Sequence, residues 1–109
     1  MATFTRKKLA FIQLAATKSD IYDPPASTIG LVHNIVLYNS NSTSELVVLN
    51  LHDGTNEYCL FQFTVSPLDT VFIDFKGEGL VVDALSKITG STTVASKVTC
   101  LITGSEETA

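Results

Sequence analysis

The nine residues LHDGTNEYC, positions 51 to 59, bring together an imidazole, two carboxylates and a thiol: His52, Asp53, Glu57 and Cys59. These side-chain types do two kinds of chemistry. A thiolate beside an imidazole is an activated nucleophile, provided the two groups lie within about 2.6 to 3.2 Å of each other. Carboxylates, imidazole and thiol together hold metal ions. Whether the four groups converge depends on the backbone that carries them.

The flanking segments ELVVLNLHD and EYCLFQFTV alternate apolar and polar residues and predict the two arms of a hairpin. Pairing Leu51 with Cys59, Leu49 with Phe61 and Val47 with Phe63 sets apolar against apolar. It leaves Gly54, Thr55 and Asn56 as a three-residue loop, with Asn56 in the left-handed conformation that such a loop requires. Slipping the register by one residue turns the phenylalanines to solvent, and burial of each is worth about 1.5 to 3 kcal/mol. In the favoured register His52 faces Tyr58 on the outer surface, Cys59 faces Leu51 in the core, and Asp53 stands opposite Glu57 at the hairpin mouth. Imidazole and thiol then point to opposite faces, which forbids a dyad. Two carboxylates also fall well short of the six to eight oxygens that calcium takes. A β-bulge is the one feature that breaks this parity. The reading assigns no catalytic, cofactor-binding or metal-ligating residue, and no cofactor.

The rest of the chain carries little that could serve chemistry. His33 lies inside the apolar run LVHNIVL and reads as a structural histidine, because no second histidine or carboxylate has ligand spacing to it. No GxSxG, HExxH or GxxxxGK[ST] pattern occurs. The GEG and TGS pieces read as turns, since no helix follows to supply an anion-binding terminus. Cys59 and Cys100 lack a CxxC spacing, and each sits in an apolar stretch, so both are expected as buried free thiols.

The elements that position these residues are strands. Runs rich in Val, Ile, Leu, Phe and Thr recur near 30 to 39, 45 to 53, 57 to 65, 70 to 75, 80 to 85 and 93 to 103, separated by NSNSTS, GTN, SPLD, KGEG and ITGSTT. KKLAFIQLA alternates about as well as it spirals and is read as extended. TKSDIYDPPAS contains Pro24 and Pro25, which withhold two amide donors, and is read as an edge strand or a crossing loop. The pattern predicts an all-β fold: an antiparallel, jelly-roll-like β-sandwich of about seven or eight short strands over 21 to 109, preceded by an extended N-terminal arm, residues 1 to 20.

Composition agrees with one such domain. The 109 residues are 45% hydrophobic and 17% charged, enough apolar surface to offset the entropy of ordering. No apolar run reaches the roughly 20 residues of a membrane helix, and the basic start followed by a short apolar stretch is broken at Gln13, so neither a membrane nor export is expected. The net charge of −4 argues against nucleic acid as a partner. The charge is uneven: Arg6, Lys7, Lys8 and Lys18 lie in the first eighteen positions, whereas most acidic residues follow Glu45. A basic segment on an acidic body suits an acidic neighbour or a second copy of the chain. With Tyr38 and Tyr58 placed on outer faces, a receptor or glycan site is a further reading.

The succession RKKLAFIQLAAT, YDPPASTIGLVHNIVLYNSNST, LHDGTNEYCLFQFTVSPLDTVFIDF, GLVVDAL and VTCLITGSE resembles small accessory structural proteins of tailed bacteriophage particles over most of the chain. It departs from that group at GEGLVVDAL, where Gly-Asp is frequent, and at the paired prolines. The resemblance implies a non-enzymatic virion protein assembled in the host cytoplasm. It would be a capsid cement or decoration protein, or a neck, tail or fibre component, acting as a homo-oligomer, a trimer as a first guess, on partners such as the major capsid protein. The candidate contact residues are Arg6, Lys7, Lys8, Phe11, Tyr22, Tyr38 and Tyr58.

Overall fold

In a computed structural model that describes residues 3–77 and 79–108, the apolar runs form nine strands and no described segment is helical. The strands are β1 (Thr3–Gln13), β2 (Ser19–Tyr22), β3 (Thr28–Asn39), β4 (Glu45–His52), β5 (Glu57–Val65), β6 (Thr70–Asp74), β7 (Leu80–Val82), β8 (Lys87–Thr92) and β9 (Val98–Thr108). The KGEG turn falls partly on Glu78, outside the described residues.

The strands form two antiparallel sheets. Sheet A has the order β1-β9-β3-β6, with β7 also paired to β3 beyond β6, and sheet B has the order β2-β8-β4-β5. With β6 and β7 taken as one interrupted strand, the chain pairs as a long hairpin folded at the β4–β5 turn: β4 with β5, β3 with β6 and β7, β2 with β8, β1 with β9. Rolling that hairpin up adds the pairs β3·β9 and β4·β8. This is the winding of a jelly roll. The all-β sandwich expected from the sequence is therefore present, with nine strands in place of seven or eight.

Period-two alternation sets which side chains enter the space between the sheets. Val32, Ile35, Leu37, Val98, Cys100 and Ile102 enter from sheet A, and Val47, Leu49, Val65 and Ile88 from sheet B, all essentially without solvent contact. Within residues 1 to 20, Thr3–Gln13 lie along the whole of β9 as the edge strand of sheet A, and Leu14 closes one end of the core. TKSDIYDPPAS supplies β2, an edge strand of sheet B.

One strand departs from expectation. ITGSTT, read as a turn with a last strand over 93 to 103, instead supplies all of β8 but its first residue, and β9 begins only at Val98. β8 lies between β2 and β4, and its Gly90 sits where a Cβ would come within 2.6 Å of the Val48 carbonyl oxygen and 2.7 Å of Ile21. The small residues that look like punctuation are there because the neighbouring strand and side chain approach that closely.

Buried polar groups clamp both ends of the sandwich. At one end the Tyr22 hydroxyl of sheet B donates to Glu106 Oε2 of sheet A (2.6 Å), and Lys7 Nζ donates to Glu106 Oε1 (3.0 Å). At the other, Asn39 Nδ2 of β3 reaches the carbonyls of Thr43 (3.0 Å) and Val65 (3.1 Å). Beside it the fully buried Glu45 accepts from Val94 N (2.8 Å), Asn41 Nδ2 (2.9 Å) and Thr92 Oγ1 (3.0 Å). Burial works against the charge of Glu45, but these three donors outweigh it and hold its pKa below the ordinary value.

A carboxylate whose pKa is lowered by folding stabilises the protein above its unfolded pKa of about 4.3, and that contribution is lost as pH falls below it. Glu45→Gln, which keeps the shape and removes the charge, is expected to lower stability by about 1 to 3 kcal/mol at neutral pH. Urea unfolding across pH 3 to 7 checks this. The difference between wild type and variant should shrink toward pH 3, and a difference independent of pH would mean that the charge is not what the three donors hold.

Candidate interaction surface

The β4–β5 hairpin decides the fate of the His52, Asp53, Glu57 and Cys59 cluster. Val47 pairs with Phe63 and Leu49 with Phe61 as expected, but a bulge at Leu60 then shifts the register, so that Asn50 pairs with Cys59, Leu51 with Tyr58 and His52 with Glu57. The expected pairs Leu51 with Cys59, His52 with Tyr58 and Asp53 with Glu57 do not form. The loop has four residues, Asp53 to Asn56, and Gly54 rather than Asn56 takes the left-handed conformation (φ 97°).

The bulge carries Cys59 out of the core to the exposed outer face of sheet B, the face that also bears Asn50 and His52. The inference that imidazole and thiol point to opposite faces is thereby overturned, as is the burial of Cys59. The physical reason lies in the charges. Without the bulge Asp53 and Glu57 would oppose each other. With it Glu57 accepts from Lys18 (2.6 Å) and Thr89 Oγ1 (2.8 Å), and Asp53 Oδ1 accepts from the amides of Thr55 (2.9 Å) and Asn56 (2.7 Å). The Lys18 ammonium, then the Thr89 hydroxyl, hold the Glu57 carboxyl below its usual range, and the two loop amides do the same for Asp53.

Sharing a face does not make these groups a site. His52 Nδ1 accepts from Gly54 N (3.0 Å), and Cys59 Sγ donates to the Phe61 carbonyl at 3.5 Å. Both nucleophile and base are thus turned to their own backbone. Among the described residues no three of His, Cys, Asp and Glu are grouped to hold a metal ion. The cluster shapes a hairpin tip.

The residues picked as contacts fall on three surfaces. Arg6, Lys7 and Lys8 line a cleft of about 560 Å³ with His33 and with Thr103, Gly104 and Ser105 of β9. Bulges at Leu9 in β1 and at His33 in β3 flank β9 at this level. Lys7 is committed to Glu106, whereas Arg6 and Lys8 make no ion pair among the described residues. Phe11 and Tyr38 lie on the outward face of sheet A, 61% and 39% exposed. Tyr58 is exposed near the hairpin tip. Tyr22 is the exception: it is buried as a tie between the sheets and offers no surface.

Sequence reasoning missed Phe72, 73% exposed beside Val36 on the outward face. TVFIDF did carry a signal, because Val71 and Ile73 point inward and an apolar residue between them makes the strand apolar on both faces.

No protein-family model matches the chain, and no curated protein matches it. Solved structures do, at the level of fold. A chain from the Bacillus endospore appendages, which form disulfide-linked pili, superposes with a TM-score of 0.59 at 14% identity, over 100% of this chain and 90% of that one. A chain of the T13 viral particle of infectious bursal disease virus (IBDV) gives 0.57 at 9% identity, and one from the Gx strain of that virus 0.55 at 10%. These cover 97% and 98% of this chain but only 30% and 32% of the viral chains, so this chain spans about a third of their length. The fold shared with all three is the β-sandwich described above.

The two cysteines differ in kind. Cys100 is fully buried, and burial pushes its thiol pKa up to about 12, whereas Cys59 lies on the surface. A thiol reagent such as DTNB should therefore titrate one thiol of the native protein promptly and the second only on unfolding. Labelling followed by peptide mass mapping checks the assignment, and equal reactivity at both would contradict the bulged register.

Proposed function

We propose that this chain is a non-enzymatic structural subunit of an assembled particle, and specifically a bacteriophage cement or decoration protein that sits on the capsid as a homo-oligomer. One observation carries the reading. No buried side-chain nitrogen or oxygen of the described residues lacks a hydrogen-bond partner, while the outer surface offers Arg6 and Lys8, which make no ion pair among the described residues, and large exposed aromatic rings. Exposed apolar groups on that scale mark contact surfaces.

Within residues 1 to 20, β1 is the proposed contact element. As the outermost strand of sheet A, β1 presents a free backbone edge together with Arg6 and Lys8, and an acidic neighbour meets both by strand addition and charge complementarity. The resemblance to phage accessory proteins and the shared fold of viral particle chains support this reading. A trimer and contact with a major capsid protein are its finer expectations. A second reading, a filament or fibre subunit, is favoured by the end-to-end likeness to the endospore appendage chain.

Size-exclusion chromatography with light scattering, joined to immunogold labelling of particles from the source, separates these readings. The expected result is a defined oligomer with gold on the particle surface. Gold confined to filaments or fibres transfers the role to the second reading. A monomer with no labelled particle removes both.

A further inference from the structure

Three straight rows of side chains cross the outward face of sheet A. Pairing through β1, β9, β3 and β6 aligns Phe11, Leu101, Val36 and Phe72 as the middle row. The row on one side runs Lys8, Thr103, Asn34, Asp74, and the row on the other Gln13, Thr99, Tyr38, Thr70. Contacts along the face agree with this register. Lys8 Nζ lies 5.3 Å from the Phe11 ring centroid, and Asn34, with its amide oriented to satisfy its partners, donates to Asp74 Oδ1 at 3.3 Å. The middle row is an apolar stripe with an aromatic ring at each end.

We infer that this face of sheet A is a two-fold interface with a second copy of the chain, Phe11 of each copy packing on Phe72 of the other and Lys8 of each meeting the other's Asp74. The pattern itself selects the occupant. A two-fold axis running along the strands between β9 and β3 lays β1 of one copy over β6 of its partner and β9 over β3, without shifting the rows. Under that operation Phe11 falls on the partner's Phe72, Leu101 on the partner's Val36, Thr103 on the partner's Asn34, and Lys8 on the partner's Asp74. Apolar meets apolar, and the one cation meets the one anion in the three rows. A two-fold axis along the middle row instead would lay β1 over the partner's β1 and exchange the outer rows, setting Lys8 over the partner's Gln13 and Asp74 over the partner's Thr70, so that neither charge meets its opposite.

The geometry is that of two sheets packed face to face, about 10 Å apart with strands nearly aligned. Three rows over four strands span about 20 by 20 Å at ordinary spacings. That is about 400 Å² per copy, about half of what a specific, stable interface buries and in the range of weak, transient contacts. The expected association is therefore concentration-dependent. A two-fold contact gives a dimer, or the pairs within a larger assembly, and not by itself the guessed trimer. The inference rests on the proposed self-associating subunit only for the existence of a partner copy.

Sedimentation velocity over a concentration series tests it. Wild type should dimerise, and Phe72→Asp should weaken dimerisation at least tenfold, about 1.4 kcal/mol. Lys8→Asp and Asp74→Lys should each weaken it, and the double variant K8D/D74K should recover most of the loss, which only a reciprocal pair predicts. These positions are on the surface, and circular dichroism confirms that each variant is folded. Association unchanged by F72D and by Phe11→Asp overturns this interface and leaves the subunit reading standing. A wild type that stays monomeric while F72D loses particle attachment gives the face to a different partner and overturns the self-pairing. Weakening by both charge variants without recovery in the double variant overturns the two-fold arrangement.

Discussion

The structure depends on where its last strand lies. β9 is hydrogen-bonded on one side to β1 and on the other to β3, so the two ends of the chain are paired with each other over almost the whole length of sheet A. This non-local pairing converts a long folded hairpin into a closed roll, and its closure entropy is recovered only when the sheets meet over the core. Val98, Cys100 and Ile102 on its inner side belong to that core, and Glu106 near its end is the acceptor for Tyr22 from the opposite sheet. The same strand carries Leu101 in the middle of the outward stripe.

Polar residues in this sandwich work in two ways, and burial distinguishes them. Glu45, Asn39 and Glu106 are withdrawn from water, and each is satisfied by partners from other elements, which joins loops and sheets at specified positions. Asp53 and Glu57 at the hairpin tip shape the backbone locally, turning a like-charge opposition into two separate partnered carboxylates. The groups that looked reactive in the sequence thus serve architecture. What remains without an ion pair among the described residues is on the outside, Arg6 and Lys8 beside β1, and with them the exposed rings at the ends of the stripe.

How much of this was legible depends on the range of the interaction. Strands β3 to β7 are visible because alternation and turn residues are local properties, and the first half of the hairpin register follows from setting Leu49 on Phe61. The register fails at Leu60 because it ranks the burial of Cys59 above the partners available to Glu57, and those partners, Lys18 and Thr89, come from distant parts of the chain. β8 is hidden for a related reason. Its Gly, Ser and Thr residues resemble a turn until Val48 and Ile21 are placed against Gly90.

The sequence by itself determined the all-β class and the location of most strands, since apolar alternation and turn chemistry are written within a few residues of each other. It also determined which rings and cations were available to make contacts. Only the tertiary structure decided that Tyr22 is an internal tie, that Cys59 faces solvent, and that Phe11 and Phe72, about sixty residues apart, terminate one row. Those outcomes depend on which strands become neighbours and on single-residue bulges, and both are settled by the packing of the whole roll.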